Sequence, residues 1–155
     1  MNIKSRIVSI LVLSASFSLL TAQASQFNSV QSSDDYEDVT ANVKDAIIGR
    51  GLNISNTLPA GEMLNRTGRD LGYEKNIFQY AETIEFCSAT LSHQLVAINP
   101  NNMVLCPFTI SVYQLNEDPT TVHVTYRTPA AGKDSAEIIN KVEQLIKSIV
   151  QEATE

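Results

Sequence analysis

Apolar and polar positions alternate along this chain in two distinct rhythms. A short first strand or a free terminus is the expectation for Gln26 to Ser33. Ser33 and Asp34 can cap a helix on which Tyr36, Val39, Val43 and Ile47 recur at helical spacing, with Gly51 as its stop. Leu52, Ile54 and Leu58 then alternate with polar residues as in a half-buried strand, which Pro59 ends. Met63, Leu64 and Leu71 predict a short helix before Gly72. Ile77 to Phe86 reads as a strand with Phe78, Tyr80, Ile84 and Phe86 on one face. Glu82 interrupts that face, so a bulge or strand edge is expected there.

Beyond it, Ser88 or Thr90 can cap a helix bearing Leu91, Leu95 and Ile98, closed by Asn99-Pro100-Asn101-Asn102. Val104 to Leu115 predicts a strand with Cys106, Phe108, Ile110 and Val112 on its apolar face. Asn116 to Pro119 makes a hairpin turn, and Thr120 to Arg127 follows with Val122, Val124 and Tyr126 inward. Ser135 to Glu152 is a strongly amphipathic helix expected to bury Ile138, Val142, Leu145, Ile146, Ile149 and Val150. The order predicts an α+β fold: one two-layer domain, a mainly antiparallel sheet of about four to five strands with helices on one face.

The first residues alter where this domain is expected to work. Lys4 and Arg6 precede an apolar, serine-containing run from Ile7 to Leu20, and Ala22-Gln23-Ala24 has the small-x-small form of a cleavage site. The run is short for a membrane span, which needs about 20 apolar residues. Residues 1–24 are therefore read as a signal peptide cleaved after Ala24, leaving 25–155 as one exported, periplasmic domain. The chain carries a formal charge of −6, and losing Lys4 and Arg6 makes it two units more negative. Such a domain is repelled by phosphate backbones and anionic lipid, so nucleic acid and membrane surfaces are poor partners.

Candidate chemistry concentrates between Glu85 and Phe108, which holds both cysteines and one of the two histidines. An exported domain with two cysteines most often joins them. Cys106 points inward by strand alternation, whereas Cys87 falls on the opposite face but also where the chain leaves the sheet. Antiparallel flanking strands would let the two meet, and parallel neighbours would hold them about 16 Å apart. The ten-residue helix between them, packing back on the sheet, favours the first arrangement, with Cα atoms within about 7 Å. A redox or metal centre would instead use Cys87 as a thiolate at a helix start, with Cys106 and His93. Copper or a haem-type group would suit that set, although no C-x-x-C or C-x-x-C-H spacing is present. His93 lies about 200° around its helix from Leu91 and His123 falls on a polar strand face, so solvated positions are expected for both. Met103 reads as core.

No set of catalytic residues emerges. There is no G-x-S-x-G elbow, and the six glycines are dispersed rather than gathered in a phosphate loop. Glu82 and Glu85 fall on opposite faces of their strand.

Asp70-Leu71-Gly72, E-F-C-S-A from Glu85, Ser92-His93, Asn99-Pro100 and C-P-F-x-I-x-V-Y from Cys106 to Tyr113 resemble the domain-of-unknown-function 302 family. The resemblance spans residues 36–129 and is most specific between Glu85 and Tyr113. It implies a compact α+β fold, in a family with exported bacterial members and no settled activity. Two function classes follow. One is a non-catalytic binding or interaction module for a small ligand or protein partner, with a homodimer through a sheet edge or helix face as one form. The other is a thiol- or metal-dependent protein centred on Cys87, Cys106 and His93.

Overall fold

The computed structural model describes residues 27–155, so the expected leader at 1–24 lies outside them. Its elements run β1 (Phe27–Ser32), α1 (Tyr36–Gly49), β2 (Asn53–Leu58), α2 (Ala60–Gly68), β3 (Phe78–Cys87), α3 (Ala89–Ile98), β4 (Phe108–Leu115), β5 (Val122–Arg127) and α4 (Ala136–Thr154). Short 3-10 turns follow α2 at Arg69–Leu71 and α3 at Pro100–Leu105. The five strands form one sheet in the order β1-β5-β4-β3-β2, and every neighbouring pair is antiparallel. The α+β architecture expected from the alternating rhythms is the one observed.

Burial explains the layering. Val39, Val43 and Ile47 of α1 meet Val142, Ile146, Ile149 and Val150 of α4, and both helices cover Ile84, Phe86, Ile110, Val112, Val122 and Val124 of the sheet. The inward row of β5 is the one its alternation predicts. On α4 the buried stripe is rotated from expectation. Ile139 is buried where Ile138 was expected, and Leu145 is only partly buried. The stripe instead continues to Ala153, which keeps the whole length of the helix on α1 and the sheet.

Two strand readings need correction. Val104 to Leu115 is not one strand: Met103 and Val104 lie in the 3-10 turn, with Val104 85% exposed, and β4 begins at Phe108. The turn is fixed by its polar residues. Asn99 Oδ1 accepts from the Asn101 N–H at 2.9 Å, and buried Asn102 donates through Nδ2 to Leu95 O and Ser135 Oγ, both at 2.9 Å. Pro107, lacking an N–H, marks where the ladder can start. Cys106 therefore precedes the strand rather than sitting on its apolar face, and Met103 is exposed rather than core.

In β3 the irregularity falls between Phe78 and Tyr80, not at Glu82. The slip turns Phe78 to the open face of the sheet, opposite Leu115, where its ring meets Tyr113 edge-on at 5.5 Å. Tyr80 and Glu82 keep the helix-covered face with Ile84 and Phe86. Glu82 is tolerated there because Lys44 of α1 pairs with it at 2.5 Å, and Tyr80 stacks on Tyr36 at 5.0 Å.

Candidate functional site

At one end of β3 the two cysteines meet, and at the other end a groove opens that the sequence did not single out. The antiparallel β3–β4 pairing returns the chain beside its own starting point after α3. Cys87 and Cys106 are thereby brought to disulfide distance, with Cα atoms 6.4 Å apart. Ser88 begins α3 by accepting from the Leu91 N–H at 3.4 Å, and Cys87 closes β3 opposite Asn53.

His93 stands exposed on α3. Among the described residues no three His, Cys, Asp or Glu side chains gather as a metal-holding group, so His93 does not join the cysteines in such a set. His123 lies far along the sheet on the open face of β5, its ring stacked on Tyr113 at 4.8 Å. It continues the aromatic row begun by Phe78.

The groove lies between α2 with its 3-10 extension and the segment that enters β3. It encloses about 350 Å³, within the range of small-molecule pockets, about 300–1,000 Å³. Leu64, Leu71, Ile77 and Phe78 supply an apolar lining, with Tyr73 and Lys75 among the residues on its margin. These are unusually open apolar residues: Leu64 is 47% exposed, Leu71 71%, Tyr73 67% and Ile77 64%.

Each wall is held by the backbone. Gly61 lets α2 lie directly against β3, since a Cβ there would come within 2.8 Å of the Ala81 nitrogen. Gly72 takes a left-handed φ of +86° and ends the helical wall, with its N–H on Arg69 O and that of Tyr73 on Gly68 O. Across the groove, Asn65 Nδ2 donates to Phe78 O at 3.1 Å. Asn116 donates through Nδ2 to Asn76 O and Phe78 O and through its N–H to Ile77 O, at 2.9 to 3.1 Å. Four polar ties therefore hold 76–78 against the hairpin turn and α2.

The sequence signal for this site was present in Leu64 and Leu71, two of the three apolar residues that predict a short helix before Gly72. Both, like Met63, are exposed, because α2 meets the sheet through Gly61 rather than through Leu64. A wider, shallower depression borders the other side of α2, lined in part by Tyr36, Glu62, Arg66 and Tyr80. Among the described residues no helix is long and apolar enough to cross a membrane.

Comparison with known proteins agrees with the fold. A crystal structure titled as an uncharacterized conserved protein DUF302 from Bacillus stearothermophilus superposes with a TM-score of 0.71 at 15% identity, covering 84% of this chain and 99% of that one. No curated protein matches this chain. The model of the family described as "Domain of unknown function DUF302" matches residues 28–153, and this chain belongs to that family.

Proposed function

We propose that this protein is an exported, non-catalytic binding module of the periplasm, and that the groove between α2 and β3 is where it takes a small ligand. The observation that carries the reading is the groove itself. Four large apolar side chains stand at 47–71% exposure around one enclosed volume, on backbone that is tied in place. A fold of this size ordinarily buries such residues, and apolar surface left open and grouped marks a binding site more often than chance exposure. Export is supported by the three-part signal pattern of residues 1–24. A Cys87–Cys106 bridge suits that compartment, and the 6.4 Å Cα separation permits it.

The test is a titration of protein recovered from the periplasm with the neutral dye N-phenyl-1-naphthylamine, whose fluorescence rises in apolar surroundings. Saturable one-to-one binding that is lost in Leu71→Asp supports the reading. A signal unchanged by that substitution removes it.

A further inference from the structure

The groove is apolar but not electrically neutral, and this narrows what it would hold. We infer that its ligand is an amphiphile with an apolar body and one anionic group, the anion lying at Lys75. The inference rests on the binding reading given above and adds the chemical class of the ligand.

Among the described residues, Lys75 is the only charged one lining the groove. Among the described residues its ammonium group has no ion pair, whereas Lys44, Arg50 and Lys141 are each engaged by a glutamate. The segment around it runs against the charge of the chain as a whole. Between Leu64 and Phe78, Arg66, Arg69 and Lys75 outnumber Asp70 and Glu74, while the full chain stands at −6. A cation free of a carboxylate partner beside an apolar lining is complementary to an anion that brings its own apolar body.

Polar groups nearby are of the matching kind. Asn76, whose backbone carbonyl accepts from Asn116, is also on the lining next to Lys75, and its side-chain amide is of a kind that can donate to an anion. Among the described residues, the lining offers a cationic ligand no carboxylate. A second copy of this chain is a different occupant, and the experiment separates it.

The test compares two dyes that share one body: N-phenyl-1-naphthylamine, which is neutral, and 1-anilinonaphthalene-8-sulfonate, which carries one sulfonate. Each is titrated against the folded wild-type protein, Lys75→Met and Leu71→Asp, with thermal midpoints checked for all three. The expected result is that both dyes bind and the sulfonate binds about fivefold tighter, an advantage that Lys75→Met removes and added salt erodes. The quantity read is the ratio of the two affinities, because Lys75→Met changes the lining for both dyes alike but removes the charge that only the sulfonate senses. Equal affinity for the two dyes, indifferent to Lys75→Met but lost in Leu71→Asp, would overturn the anionic class and leave the groove as a binding site. Dye signals indifferent to Leu71→Asp, or a dimer in sedimentation that excludes both dyes, would overturn the groove reading itself.

Discussion

Glu82 is the residue whose environment is least forgiving. Its carboxylate lies on the helix-covered face of β3 and is 19% exposed, with Lys44 as its ion partner. Removing the two partners should have unequal effects. Lys44→Met leaves a largely buried carboxylate without compensation and should cost roughly 1–3 kcal/mol. Glu82→Gln frees a lysine that is already 33% open to water and should cost less. Urea unfolding of the two variants measures the difference, and an equal or reversed order would contradict the asymmetry. The same reasoning ranks two neighbours on α4. Ile146 is fully buried and Leu145 partly so, so Ile146→Ala should lose about 2–5 kcal/mol and Leu145→Ala clearly less. The periodicity alone could not make that distinction, because both residues fall within the apolar arc and only the facing positions on α1 and the sheet decide which is covered.

At the scale of elements, the parts that follow simple periods were legible and the parts set by single polar or small residues were not. The β5 row, α1 and the hairpin were readable because each buries one regular face. The start of β4 was misplaced because the Asn99 and Asn102 hydrogen bonds hold a 3-10 turn over an apolar run that otherwise reads as strand. Phe78 was assigned to the wrong face because a one-residue slip in pairing reverses every side chain beyond it. The groove was missed for a related reason: α2 meets the sheet through Gly61, and no periodic pattern reports a contact made by the absence of a side chain. Gly61→Val should therefore drive α2 away from Ala81, costing about 1–3 kcal/mol and weakening dye binding together. Calorimetry and the neutral-dye titration report the two effects, and a variant with unchanged midpoint and affinity would show that the close approach is not needed.

The first turn of α1 also gives the fold an alkaline limit. Burial is the main cause that pushes the Tyr36 phenol above its ordinary 10.0, opposed by the nearby Thr40 hydroxyl and reinforced by the Glu82 charge. Tyr126 is raised mainly by burial and then by Glu143. Both phenols ionise later in the folded than in the unfolded chain. Their contribution is complete below about pH 10 and is lost as pH rises through the raised folded values. Stability should accordingly fall in the alkaline range, and the fall should be shallower in Tyr126→Phe. A pH series of urea midpoints for the two proteins tests this, and identical alkaline slopes would contradict it.

For the molecule as a whole, the two ends of β3 have separate roles in this account. One end is closed by Cys87 and Cys106, and the other carries the groove between Leu64 and Phe78. Closing the loop between the cysteines should stabilise the domain by about 3 kcal/mol, chiefly by restricting the unfolded chain. Intact mass before and after reduction and alkylation of protein purified without reductant, paired with unfolding in each state, would register the bridge and its effect. Two alkylatable thiols in the native protein would contradict it. The cysteine pairing was legible from the expected compartment and helix length, whereas the groove depended on the tertiary placement of Leu64, Leu71, Ile77 and Phe78, which no single periodic pattern brings together.

The central claim is that the groove binds, and chemical-shift mapping tests it most directly. Amide spectra of the isotopically labelled protein, recorded during titration with N-phenyl-1-naphthylamine, should show saturable shifts concentrated between Leu64 and Phe78 and at Asn116, whose side chain ties that wall. The amides of α3 and the Pro100–Leu105 turn should remain still. Shifts centred instead on Cys87, His93 and Cys106, or spread over the surface without saturation, would contradict the assignment of the groove as the binding site.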